Sequence, residues 1–249
     1  MTVQLKKSTA GTTPIRVVDR SSFAAQLKAA PAATARWLQA TGFNGAADTH
    51  ALVPAADGRV GEVWAGVRAA DFPWALAALP RALPVRRYAL SAEGLAVDAT
   101  AAAMSGELGA YQFDLYKPAK REPATLVLAP GAAAERGLLL AAVIASTRDL
   151  VNTPAEHMGP VELAEAVKLV AKQHGAKFKQ TVGDDLLKAN FPAIHAVGRA
   201  ATRAPRLIEL NWGDAKHPKL TLVGKGVCFD SGGLDIKSAE GMRQMKKDM

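Results

Sequence analysis

Short apolar runs rich in β-branched residues alternate with alanine-rich or amphipathic stretches along this chain, and no other feature limits its fold more. "TPIRVVD" (13–19), "RRYAL" (86–90) and "ATLVLAP" (124–130) have the composition of buried strands. "THALVPA" and "RVGEVWAGV" flank the turn "ADG" at 56–58 and read as a strand pair. Between these runs lie helical stretches. "SSFAAQLKAA" begins with Ser21 or Ser22 as a cap, "FPWALAAL" reads as a short helix, and "DATAAAMSGELGAYQF" as an alanine-rich one. Strand and helix in alternation predict an α/β layer domain.

The polar, proline-flanked "YKPAKREP" (116–123) suits an exposed connection. A helix is expected from about Ala132 to Leu150, ending where Pro154 and Pro160 forbid its continuation. Pro160 can open the next helix, in which Leu163, Val167 and Val170 share a face and Gly175 terminates it. "KFKQTVG" alternates as a strand and "DDLLKAN" reads as a short helix. "AIHAVG" follows, and "RLIELNW" and "KLTLVGKG" are apolar enough for central strands of a second sheet. The expected organisation is an N-terminal α/β domain over 1–125, a connecting helix over 126–150, and the first part of an α/β catalytic domain over 151–249.

The 249 residues, 49% hydrophobic and 22% charged, suffice for a buried core and argue against wholesale disorder. One cysteine, Cys228, excludes an internal disulfide and fits a reducing compartment. The N-terminal lysines precede no apolar run, so no signal peptide is read. The longest apolar run, "GLLLAAVIA", is far short of the ~20 residues that span a bilayer. A soluble, cytoplasmic protein without a membrane partner is expected. The net charge of +8 permits a nucleic-acid partner, but there is no dense Lys/Arg block or zinc-finger spacing, and scattered solvated charge is the preferred reading.

The chemistry concentrates in "KLTLVGKGVCFDSGGLDIKSAEGMRQMKKDM" (219–249). An apolar run meets Gly224-Lys225-Gly226, and a second bend follows at Ser231-Gly232-Gly233. Central strand ends of open α/β sheets are where ligands bind. A phosphate loop is excluded, since Lys219 stands where its first glycine belongs and Lys225 lacks a following Ser or Thr. A nucleophile elbow at Ser231 would need glycine where Phe229 stands. What remains is Lys225, Asp230, Lys237 and Asp248, the last on an expected helix 239–249. The two aspartates offer hard oxygen ligands for a divalent cation. From spacing alone, turn-forming aspartates and solvent-facing lysines stay the simpler reading. His157 and His195 read as packing or surface residues.

Residues 222–249 closely resemble the dimetal segment of the leucyl (cytosol) aminopeptidase family. "RDLVNTPAEHMGP" (148–160) resembles a second stretch of that family, and "AIHAVGRAATRAPRLIEL" also fits. The resemblance implies a metalloexopeptidase using two divalent metal ions, manganese or zinc. Lys225, as a neutral amine, Asp230, as a bridging carboxylate, and Asp248 would be metal ligands, and Lys237 the catalytic residue stabilising the oxyanion. It further implies peptide substrates and a homo-oligomer, a hexamer in the family. Ser238 replaces a frequent proline, and Cys228 and Ser231 stand where threonines are common; none of these removes a ligand. The family's later ligand segment, of the Asn-Thr-Asp-Ala-Glu-Gly-Arg type, is not in this sequence. The chain is therefore expected to be a fragment, inactive and poorly stable alone. The alternative is a non-catalytic basic binding protein, DNA-binding or vestigial.

Overall fold

The computed structural model describes residues 2–249 and divides into two compact units, Met1–Ser146 and Thr147–Met249. The first contains β1 (Val3–Leu5), β2 (Thr13–Val18), α1 (Phe23–Ala29), α2 (Ala32–Ala40), β3 (His50–Pro54), β4 (Val60–Gly66), α3 (Leu79–Ala82), β5 (Arg87–Leu90), α4 (Ala99–Ala110) and β6 (Thr125–Leu128). Helix α5 (Ala132–Asn152) runs across the division. The second unit continues with α6 (Pro160–His174), β7 (Lys177–Val182), α7 (Asp185–Lys188), α8 (Pro192–Gly198), β8 (Arg206–Asn211) and α9 (Ala239–Arg243).

The first unit is the mixed α/β layer domain expected. Its six strands run in the order β1-β6-β5-β2-β4-β3, all neighbours parallel except β3, which pairs antiparallel with β4 at the edge. The period of two in a strand sends successive side chains to opposite faces, and here each face has its own core. Ile15, Val17, Val63 and Ala65 pack with Leu76, Leu79, Ala102 and Ala103 in one cluster. Val18, Trp64, Ala51 and Val53 pack with Leu38, Phe43 and the flanking Phe23 and Leu27 in the other. Arg16 belongs to the second face. It is buried, stacks 4.9 Å over the Trp64 ring, and pairs with Glu62 at 2.9 Å and with Glu93. Such a buried cation is tolerable because opposite charges and an aromatic face take the place of water.

Helix α4 starts where Asp98 accepts a 2.8 Å bond from the Ala101 amide, and its alanines let it lie close to the sheet. Three elements depart from expectation here. "FPWALAAL" forms turns before the four-residue α3 rather than a helix of its own. Strand β1 and helix α2 carried too little periodicity to be read.

In the second unit the two strands form only an antiparallel pair, with Lys177 opposite Asn211. "RLIELNW" is thus half of a two-stranded ribbon, not a central strand. "AIHAVG", left unassigned above, falls in α8. Helix α6 begins at Pro160, the Gly159 amide donates 2.9 Å to Glu162 Oε2, and Gly175 closes it with φ +67°. Its buried positions are Ala164 and Ala171, two turns apart, with Leu163 and Val167 half-buried and Val170 exposed.

The run "KLTLVGKG" is not a strand. Residues 218–227 have no regular structure, and Leu222 is 87% exposed. A strand exists only where a neighbour takes up its N–H and C=O groups, and no described strand lies alongside. The helix expected over 239–249 is also shorter. It stops at Arg243, and Asp248 sits in the turns that follow.

Candidate metal centre

The segment that carries Lys225 begins at a close approach. Gly226 lies against α6 so tightly that a Cβ there would meet Leu163 Cδ2 at 2.6 Å. Val227, next to it, is among the few buried apolar residues of the unit. The chain then bends through Asp230, whose Oδ1 accepts a 2.9 Å bond from the Gly232 amide, and Gly232 takes φ +97°. Only glycine suits that position, since a side chain would also collide with the Asp235 carbonyl. The loop closes when the Lys237 amide donates 2.9 Å to the Ser231 carbonyl. Ser238, in the place of the expected proline, then caps α9 by accepting a 3.2 Å bond from the Gly241 amide.

This bend brings Lys237 Nζ within 2.9 Å of Asp230 Oδ2. The hydrogen bond from Lys237, that from Gly232 and the positive charge of Lys225 together hold the Asp230 carboxyl below the usual range. Asp248 is lowered first by Lys247, 2.6 Å away, then by Lys225, while Asp230 pushes it back up. Lys225 therefore acts on both aspartates, and the aspartates oppose one another. Of the four, Lys237 and Asp230 are in contact, Asp248 pairs with its neighbour Lys247, and the charge of Lys225 lowers both aspartates. Asp230, Lys237 and Asp248 keep partial exposure, so a small ligand can reach them.

Cys228 sits beside this group. Burial pushes its thiol upward, the mark of an inert rather than reactive cysteine. Sequence reasoning did not find Lys246. It is 6% exposed, and its ammonium donates to the Leu150 carbonyl at 2.9 Å and to the Thr153 carbonyl. Burial lowers its pKa. Nothing in "MKKDM" distinguishes Lys246 from its neighbour before folding. The signal is where the last turn of α5 comes to lie.

The donor set suits divalent cations. Carboxylate oxygens are hard ligands, and each aspartate is here paired with a lysine, Asp230 with Lys237 and Asp248 with Lys247. Among the described residues no three His, Cys, Asp or Glu side chains gather into a group that could hold a metal ion.

The fold is that of an α/β chain whose last segment places a lysine–aspartate pair at a glycine bend. Residues 145–249 match the catalytic domain of the cytosol aminopeptidase family, and residues 13–129 match the N-terminal domain of the M17 aminopeptidases. The chain belongs to this family. A cytosol aminopeptidase from Coxiella burnetii is 43% identical, with a TM-score of 0.86, over 99% of this chain and 53% of that one. The bottromycin maturation enzyme BotP, solved in complex with Mn, is 31% identical with a TM-score of 0.73, over 96% of this chain and 53% of its own. A probable cytosol aminopeptidase of Rhodococcus jostii is 36% identical over 170 residues, which are 61% of this chain and 34% of that protein. The chain thus spans about a third of the curated relatives and half of the solved ones. Among the described residues no helix is long and apolar enough to cross a membrane.

Proposed function

We propose that this chain supplies the metal-anchoring part of a metal-dependent aminopeptidase that releases N-terminal residues from peptides. The observation that supports the reading is the Lys237–Asp230 pair at a glycine bend, within the segment matched to the family's catalytic domain. Asp230 and Asp248 provide carboxylate ligands and Lys225 an amine ligand for two divalent ions, manganese or zinc. The amine has to be neutral to coordinate, against an ordinary lysine value of ~10.4, and adjacent dications favour that form. Bound metals supply an activated water and an anchor for the substrate's free α-amine.

Lys237 has a different task. With Asp230 serving as a metal ligand, the Lys237 ammonium would be available to donate to the oxygen that gains charge at the scissile carbonyl. Residues 1–125 form the accompanying layer and 151–249 the catalytic part, joined by the helix between them. In this reading the whole protein acts in the cytosol as a homo-oligomer.

The test is metal-dependent hydrolysis of leucine p-nitroanilide by the full-length protein. D230N is expected to lose both metal binding and activity. K237A is expected to keep metal affinity and lose roughly 10²–10³ in kcat, as for removal of one oxyanion donor. Equal activity of K237A and the wild type would remove Lys237 from the reaction.

A further inference from the structure

In the first unit, helix α2, the loop after it and strand β3 border a depression of about 360 Å³. That lies within the roughly 300–1,000 Å³ of small-molecule sites. One wall is the Trp37 ring. It is 43% exposed, and its orientation is fixed because the indole N–H donates 2.9 Å to the Leu52 carbonyl of β3. Around it stand Thr41, Asn44, Thr49 and His50. Three of these spend part of their hydrogen-bonding capacity inside the protein. The Asn44 side-chain oxygen accepts 3.1 Å from the Ala46 amide, the Thr49 hydroxyl donates 2.6 Å to the Ala46 carbonyl, and the Thr41 hydroxyl donates 3.0 Å to the Trp37 carbonyl. What is left over is the Asn44 NH₂ as donor and two hydroxyl oxygens as acceptors. The His50 ring has no hydrogen-bond partner among the described residues and can serve as either.

Among the described residues no Lys, Arg, Asp or Glu lines the depression. A charged ligand would leave water here without a counter-charge, which is unfavourable. An added strand is also turned away. β3 is the sheet edge, but Trp37 already takes the Leu52 carbonyl and Pro54 has no N–H, so the ladder is interrupted twice. The remaining chemistry is an open aromatic face ringed by mixed donors and acceptors without charge. The C–H groups of a saturated ring meet the negative face of an indole, and hydroxyl groups, each both donor and acceptor, meet such a rim. We propose that this depression binds a neutral sugar ring, stacked on Trp37 and held by Asn44 and His50. A free monosaccharide and the terminal ring of an oligosaccharide share this chemistry. The inference is independent of the metal-centre reading.

The test is titration of the 249-residue chain with methyl glucoside, methyl galactoside, N-acetylglucosamine and cellotriose, followed by saturation-transfer-difference NMR. Glucose 6-phosphate and glucosamine are the anionic and cationic controls. At least one neutral sugar is expected to bind with a millimolar constant, and both charged controls more weakly than the neutral sugar. Equal affinity for a monosaccharide and cellotriose identifies a free sugar as the ligand; tighter binding of cellotriose identifies a longer glycan. W37A is expected to abolish binding, and N44A to weaken it roughly tenfold, the loss of one well-formed hydrogen bond. If W37A loses its circular dichroism, N44A and H50A are read by the same criterion of weakened binding. The proposal is overturned if no sugar binds at any soluble concentration. It is overturned equally if binding survives unchanged in folded W37A or in both N44A and H50A. Tighter binding of either charged control than of the neutral sugars overturns the assigned ligand class.

Discussion

The two units solve the problem of stability in opposite ways. In the first, a six-stranded sheet is covered on both faces, and strand residues enter two separate cores. In the second, the buried apolar residues are Ala164, Ala171, Leu186 and Val227, and the strands form only a pair. Every residue of the candidate metal centre lies in the second. The lesson is that position there is held by local devices in place of a packed core. These are a glycine pressed on α6, an Asp–amide turn, a serine cap and a lysine at a helix end. Polar fastenings of this kind fix a direction without enclosing the site, which leaves the carboxylates within reach of a ligand.

The contrast is broken most severely at Trp64. It is fully buried, edge-on to Phe23 and under Arg16, and its indole donates 2.8 Å to Glu62. W64A is expected to destabilise the first unit by about 3–5 kcal/mol, the range for removing a buried aromatic. Urea unfolding followed by fluorescence of the remaining tryptophans measures it. A loss below ~1 kcal/mol would show that the second core contributes little.

Next comes Gly226, where the second unit most resembles a packed core. G226V forces Leu163 or the backbone to move, at a cost of about 1–3 kcal/mol for an overpacked site. Because Lys225 is adjacent, Mn²⁺ affinity should fall along with the unfolding midpoint. A fall in the midpoint alone would separate the close approach from the site.

Acid sharpens the comparison further. Asp19 in the first unit is lowered chiefly by the Ser21 hydroxyl, and Asp230 in the second chiefly by Lys237. In both the folded carboxyl lies below its unfolded value of ~3.9. Each contribution is therefore complete above that value and is lost as pH falls through the lower, folded one. D19N and D230N should each flatten part of the acid limb of stability against pH. Salt should shrink the Asp230 part more than the Asp19 part, since an ion pair is screened and a neutral hydroxyl bond is not. Equal salt sensitivity in the two variants would contradict the assigned causes.

The smallest effect is expected at Leu222. L222S is predicted to change stability by less than ~0.5 kcal/mol, because the side chain is already in solvent. A larger loss would mean that this run packs in solution as the apolar sequence first suggested.

What could be read beforehand divides along the same line. In the first unit "TPIRVVD", "RVGEVWAGV" and "ATLVLAP" became β2, β4 and β6 because their pattern agrees with the neighbours the fold supplies. "KLTLVGKG" has an equally strong pattern and is exposed coil, for want of a strand beside it. The four proposed site residues were legible through two long family-like stretches; composition or spacing would not have singled them out. Lys246 was illegible, since a lysine looks solvent-bound until a helix end arrives to bury it.

By itself, then, the sequence determined the α/β class, the strands and helices with clear period, and the family resemblance from which the site residues are proposed. Those properties follow from local backbone preference and residue type. Only the tertiary structure decided that "KLTLVGKG" stays unpaired, that the helix bearing Glu240 stops before Asp248, and that Lys237 meets Asp230 while Lys246 is sealed on α5. Each of those outcomes depends on a partner distant in the chain, and hydrogen bonds and ion pairs exist only where that partner is brought.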